Sequence, residues 1–303
     1  MSTQTTRRAL TALLLTALLA LGLSAGFAQA KLTGNYTKFA QCPYPNLEVK
    51  KCIVSVTESG EVVLGSKKVP IVNPVTLQGG FGAAIEEKEG AEFAKFYAAT
   101  NGVTLSKTPQ PVPGGLAGIV NCKEIKDFFL RISCEVTFEN GLTGLDSTLE
   151  LAKPASDIRV SENNLAGETG TALQMPIKIH LENPFLGSSC YVGSATNPVI
   201  WKLTSGTTNP PAPNTPITGS AGEIEFLEEG RILVAKNSKL VDNAWAAPGV
   251  NGCGGFLVEL LLNPIINSAS GLPAAAGKNT AILKGTLNVA SAAAVRKNNA
   301  ENP

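Results

Sequence analysis

An apolar–polar alternation with a period of two runs through most of this chain, and it dictates extended strands with two unlike faces. In "KKCIVSVTES" (50–59) it sets Cys52, Val54 and Val56 on one face. "GEVVLGSKKVPIV" carries the pattern on, with tight turns expected at Gly60 and at Gly65-Ser66. "FFLRISCEVTFENG" (128–141) repeats it, placing Leu130, Ile132, Cys134, Val136 and Phe138 on one side before an Asn140-Gly141 hairpin cue. "STLELA" (147–152), "DIRVSE" (157–162), "MPIKIHLEN" (175–183), "PVIWKLTSG" (198–206), "GEIEFLEEGRILVAKNSKLVD" (222–242) and "TAILKGTLNVA" (280–290) supply further strands. Many short strands broken by Gly and Pro predict a mainly β protein, an antiparallel β-sandwich or a barrel-like fold.

Helix signals are few. "AEFAKFYAAT" (91–100) has the length for two or three turns. "FLVELLLNPIINSASG" (256–271) is apolar nearly all round, with Asn263 and Pro264 as an N-cap and first helical residue and Gly271 as a stop. Two abutting helical pieces buried against the sheet are expected there, as a C-terminal helical segment.

The first thirty residues read as a signal peptide. Arg7 and Arg8 precede an apolar run from Ala9 to Phe27, and Ala28-Gln29-Ala30 offers the small residues that a signal peptidase needs. Cleavage is expected after Ala30, and retention of the run as an anchor is the alternative. Residues 31–298 form the exported β-rich region, as one domain or as two β units divided near the Pro-rich "KTPQPVPGG" (107–115), with a polar tail at 299–303. No later run is long enough to span a bilayer as a helix.

All six cysteines follow the cleavage site, and an even count in an exported chain reads as three disulfides. Locality pairs Cys42 with Cys52 and Cys122 with Cys134, which leaves Cys190 with Cys253. Cys190 sits in "LGSSCYVG" (186–193), where Ser189-Cys190-Tyr191 bears some similarity to the segment around a papain-type nucleophile. Such a nucleophile needs a histidine base, and the single histidine, His180, precedes it on a strand. The disulfide reading therefore stands.

Without Arg7 and Arg8 the 25 basic residues become 23 against 24 acidic ones, so no electrostatic footprint marks a nucleic-acid or membrane-surface partner. His180 falls in a Lys178–His180–Glu182 row expected to face water. The cysteines and His180 are too dispersed for zinc. Asp242, Asn243 and Asn251 offer at most a weak calcium loop. No phosphate loop or dinucleotide fingerprint calls for a cofactor. Glu223 and Glu225 share a strand face, with Glu228 and Glu229 at the next turn, and they read as solvated surface. Trp201 alternates into the core. Trp245 is the one aromatic singled out for ligand contact, its other role being to pack over the Cys190–Cys253 bond.

"NPFLGSSCYVGSATNPV", "LTSGTTNPPAPNTPITG" and "GLPAAAGKNTAILKGTL" resemble a family of uncharacterised exported proteins of actinobacteria. That resemblance covers the C-terminal part and implies export, with no activity attached. The expectation is a secreted or envelope-associated, non-catalytic binding or surface component whose partner is an envelope protein or a glycan. A secreted hydrolase or lyase using carboxylates on a sheet face is the alternative, and it requires Glu223, Glu225 and another carboxylate or Trp245 to meet in one pocket.

Overall fold

A computed structural model describes residues 31–88, 91–116, 126–129, 131–132, 144–255 and 258–302. Fourteen strands form one antiparallel network: β1 (Lys51–Leu64), β2 (Lys67–Ile71), β3 (Val75–Lys88), β4 (Ala91–Ala98), β5 (Gln110–Pro111), β6 (Asp146–Leu151), β7 (Arg159–Val160), β8 (Leu173–Glu182), β9 (Tyr191–Val192), β10 (Val199–Leu203), β11 (Glu223–Leu227), β12 (Ile232–Asp242), β13 (Val250–Asn251) and β14 (Thr280–Ser291). The main path runs β11-β12-β14-β1-β3-β4-β7-β8-β6-β5, with β2 on β1, β10 and β9 on β8, and β13 on β9. Strands from both sides of 107–115 thus share one sheet. Beyond β10, Thr204 and Val241 exchange both backbone hydrogen bonds at 2.9 Å, which links the end of β10 to β12.

The alternation buries both faces of β1, against two separate cores. Ile53, Val62 and Leu64 belong to the larger one, with Ile177, Ile179 and Leu181 of β8 and Val199, Trp201 and Leu203 of β10. Cys52 faces the smaller one, and Val54 packs against it. There Ile232, Val234 and Ala290 meet Tyr36, Phe39 and Val49 from the segment before β1. The Cys42–Cys52 bond fixes that segment to the start of β1. Its outer side is covered by helix α3 (Ala292–Glu301), here numbered after α1 (Glu162–Gly167) and α2 (Glu259–Ser270).

The β1–β2 hairpin turns at Gly65-Ser66, since Leu64 pairs with Lys67 and Gly65 has a left-handed φ of 57°. Gly60, expected in a turn, lies inside β1. A side chain there would place its Cβ 1.9 Å from the Ile282 carbonyl oxygen, so glycine marks a close approach of two backbones.

Residues 91–98 are strand β4, a correction to the helix expected over 91–100. Its pairing with β3 shifts register between Phe81 and Ala84 and again between Ala84 and Glu86. Phe93 and Phe96, both buried, stand three apart as on a helix, but on β4 that odd spacing sets them on opposite faces, with Phe96 beside Ala94 in the larger core. Helix α2 is one piece with Pro264 inside it, not two. Asn263, expected as an N-cap, accepts the Cys253 N–H with its side chain at 3.2 Å. Only Leu262, Ile266 and Ser270, spaced four apart, are buried, while Leu260 and Leu261 face out.

Residues 299–301, expected in a polar tail, continue α3. Asn298 accepts the Thr33 N–H at 2.9 Å, Asn299 accepts the Tyr44 hydroxyl at 3.1 Å and Arg296 donates to the Tyr44 carbonyl at 2.6 Å. The two described disulfides, Cys42–Cys52 and Cys190–Cys253, fit an extracellular protein. Among the described residues no helix is long and apolar enough to cross a membrane. The signal peptide (1–30) and the Cys122–Cys134 pair lie outside the described residues; of the strand expected at 128–141 only 128–129 and 131–132 are described, and they are helical, with Arg131 N–H donating to the Asp127 carbonyl.

Candidate functional site

Three apolar cavities follow one another through the larger core, and β1 lines all of them in sequence order. The first, about 100 Å³, is walled by Ile53 with Phe81, Leu165, Ile224, Leu233 and Leu287. The second, about 30 Å³, lies at Ser55 and Thr57, between Leu77, Met175, Trp201 and Leu283. The third, about 50 Å³, lies at Val62 and Leu64, with Val69, Ile179, Leu181 and Leu272. Ile71, Val75 and Leu149 are walls common to the second and third. Ile53 and Ser55, on the first and second, are one pleat apart, about 7 Å along the strand. The linings are mainly apolar, with Ser55, Thr57, Lys67, Gln110 and Glu162 among them, because each contributing strand turns its inward set, such as Ile177, Ile179 and Leu181, to this side.

The two ends of this row are built differently. At the third cavity Gln110 is buried; its side-chain oxygen accepts the N–H groups of Val72 and Asn73, and its amide donates to the carbonyls of Asn73 and Thr108. Ser66 N–H donates to the Ser270 carbonyl, and Gly65 N–H to the Asn279 side chain. At the first cavity the wall is α1, six residues with none buried, and Ile224 of β11, which is 46% exposed. The Lys51–Glu162 pair, at 2.6 Å, sits on that rim.

On the opposite face of β8, Lys178, His180 and Glu182 form the row that the alternation requires, yet it does not stand open to water. Tyr191 of β9 stacks on the His180 ring with centroids 4.4 Å apart, and the Lys178 ammonium lies 3.9 Å from the Tyr191 centroid. The His180 side chain is 18% exposed, with its Nδ1 3.3 Å from Glu182. Its Nε2, and the hydroxyl of its cross-strand partner Thr148, are buried without a hydrogen-bond partner among the described residues.

Glu150 joins this row from β6 and was not singled out from sequence. Burial pushes its carboxyl up, but hydrogen bonds and charge from Lys107 at 3.2 Å and Lys178 at 3.3 Å outweigh that and hold it below the ordinary value. Only the residues opposite it on neighbouring strands reveal this role, and "STLELA" alone carries no trace of them.

No protein-family model, curated protein or solved structure matches this chain.

Trp245 lies in the larger core, 4% exposed and edge-on to Trp201 at 6.0 Å. Both indole N–H groups are buried without a partner among the described residues. The Cys190–Cys253 bond ties the β8–β9 connection to the loop before α2. Glu223 and Glu225 stand on β11, with Glu225 paired to Lys236 at 2.7 Å, while Glu229 pairs with Arg231 and Glu228 accepts from Asn35. None of the cavities described above is lined by either strand glutamate together with Trp245.

Asp242, Asn243 and Asn251 serve three separate backbone ties. Asp242 accepts from Lys202 N–H and Ala244 N–H, Asn243 donates to the Thr215 carbonyl, and Asn251 donates to the carbonyls of Tyr191 and Gly193. A polar cleft of about 380 Å³ opens beside Asp242, lined by Thr204, Thr207 and Thr208. Those hydroxyls bond to Gly206, Thr218 and Ile217, so the cleft's polar groups hold its own walls together.

Proposed function

We propose that this is an exported, disulfide-stapled binding protein that holds an apolar small molecule inside a sheet closed as a barrel, with no catalytic step. The row of three aliphatic cavities carries the reading. Protein interiors are close-packed and hold few voids larger than water. An empty apolar cavity costs about 24 cal/mol per Å³, so the first one alone forgoes on the order of 2 kcal/mol of packing. Apolar voids repeated along one core are space that an apolar ligand can fill.

Closure of the sheet supports the same reading. The path β12-β14-β1-β3-β4-β7-β8 continues through β10, and the Thr204–Val241 rung returns it to β12. A closed sheet surrounds its inward side chains and offers a ligand an interior shielded from water. The disulfides keep loops seated on such a shell outside the cell, and a secreted or envelope location follows from the same reading.

The test is mass spectrometry of the secreted protein under native and solvent-extracted conditions, together with titration of an environment-sensitive apolar dye. An extractable apolar molecule, or a saturable dye site in the stripped protein, is expected. Leu149→Trp, which fills the space between the second and third cavities, should reduce binding, and Leu149→Ala should preserve it. A cooperatively folded wild-type protein that carries nothing and binds no apolar dye would sink the proposal.

A further inference from the structure

We infer that the occupant is a single unbranched aliphatic chain with a polar head, and that it enters and leaves at the β11–α1 end, gated by Ile224. This rests on the binding reading above and goes beyond it in naming both the ligand class and the door.

The class follows from size. An apolar cavity of about 150 Å³ takes one benzene ring. The cavities here are about 100, 30 and 50 Å³, and the smallest lies in the middle, beside Trp201, Met175 and Leu77. A ring system cannot pass that point without displacing fully buried Trp201. A methylene chain can occupy successive small voids as one thread, and each buried CH₂ gains about 0.8 kcal/mol. Charged side chains meet the cavity walls only at the two ends, Glu162 at the first cavity and Lys67 at the third, so none meets a head group inside. The charged pair Lys51–Glu162 stands at the rim of the first cavity, half exposed, where a polar head can stay in water.

The door follows from the unlike ends. The third cavity is bordered by tied backbone: Gln110 makes four hydrogen bonds in its wall, and the Ser66–Ser270 and Gly65–Asn279 bonds hold the hairpin beside it. The first is closed by β11, which ends the main sheet path with β12 as its strand neighbour. None of the five β11 residues is buried, and Ile224 and Phe226 are 46% and 63% exposed. Segments with few buried contacts open at the lowest free-energy cost. Glu223 and Glu225 on the same strand discourage pairing with another chain's edge, so the strand can move without inviting aggregation. Ile224 is at once a wall of the first cavity and a half-exposed side chain on this strand.

Stopped-flow fluorescence on the stripped, full-length mature protein tests both parts. The probes are cis-parinaric acid, a linear chain with a carboxylate head, and dehydroergosterol, a fused-ring sterol. Saturable binding of the linear probe and none of the sterol is expected. Ile224→Ala should raise the association and dissociation rates of the linear probe together, by roughly three- to tenfold, as removal of a gate does. Val69→Ala, which trims a wall of the third cavity at the opposite end, should weaken binding through faster dissociation and leave the association rate at the wild-type value.

An association rate that rises with Val69→Ala and not with Ile224→Ala would overturn the door while leaving the binding reading intact. Equal binding of the sterol would overturn the ligand class. Binding of neither probe would remove this inference, and an apolar dye that still occupies the interior would show that the broader reading survives it.

Discussion

The Asp242 carboxylate accepts the backbone N–H of Lys202 at 2.7 Å, next to the rung where Thr204 and Val241 exchange both backbone hydrogen bonds. Its other oxygen accepts the Ala244 N–H at 2.9 Å. One side chain thereby extends the β10–β12 junction past the last true rung. Asp242→Ala leaves two inward N–H groups without acceptors, each worth about 1–3 kcal/mol. A fall in melting temperature of at least about 4 °C is expected in a protein of this size, with Asp242→Asn milder because one acceptor remains. Thermal unfolding by circular dichroism checks it, and an unchanged midpoint for Asp242→Ala would remove this side chain from the junction.

Glu150 should set part of the acid stability of the protein. Lys107 and Lys178 hold its carboxyl below the ordinary carboxylate value of the unfolded chain. The folded state then binds fewer protons than the unfolded one between those two values. Its stabilisation is present above the unfolded pKa, about 4.3, and is lost as pH falls through the folded one. Glu150→Gln should flatten the acid limb of a melting-temperature profile between pH 3 and 7. An acid limb identical to wild type would contradict the assignment.

Asp242 works in the opposite direction. Burial, only partly offset by the Ala244 and Lys202 N–H groups and the Lys202 charge, raises its carboxyl. Its contribution is greatest below the unfolded pKa and declines as pH rises toward the folded value. Asp242→Asn should therefore remove a small loss of stability on the alkaline side of that window, measurable in the same profiles.

The Cys190–Cys253 bond closes a separation of 63 residues. On the chain-entropy account such a loop stabilises by about 4 kcal/mol and the ten-residue Cys42–Cys52 loop by about 3 kcal/mol. The double variant Cys190→Ser, Cys253→Ser should unfold at lower denaturant than Cys42→Ser, Cys52→Ser. Guanidinium titration of the two purified variants decides the order.

Gly60→Ala should be far more damaging than Gly34→Ala. Both positions have positive φ, but an added Cβ meets the Ile282 carbonyl at 1.9 Å in the first case and nothing within 4 Å in the second. The Gly34 change should cost about 1 kcal/mol of backbone strain, whereas the Gly60 change must separate β1 from β14. Secreted yield and melting temperature of the pair provide the comparison.

Legibility in the sequence varied with how local each cause was. The strands at 147–152, 175–183, 198–206 and 280–290 could be read because their inward residues repeat every second position without interruption. Residues 91–98 could not, because β4 buries Phe93 on one face and Ala94 and Phe96 on the other, which gives its apolar residues helical spacing. Helix α3 hid behind a polar composition, since Arg296, Asn298 and Asn299 are spent on the segment before β1, more than 250 residues away in sequence. The cavities left no mark on any single strand. Ile53, Ser55 and Val62 read as ordinary inward positions until their opposite walls are in place.

The sequence by itself determined the strand periodicity, the class of fold, the turn at Gly65-Ser66 and the absence of a histidine downstream of Cys190, because these depend on residues a few positions apart. Only the tertiary structure decided that β1 buries both faces, that Glu150 joins the His180 row, that Trp245 packs against Trp201, and that Ile224 closes the first cavity. Each of those depends on which distant strand lies opposite. A period of two says which way a side chain points, and the packing partner alone says what it meets there.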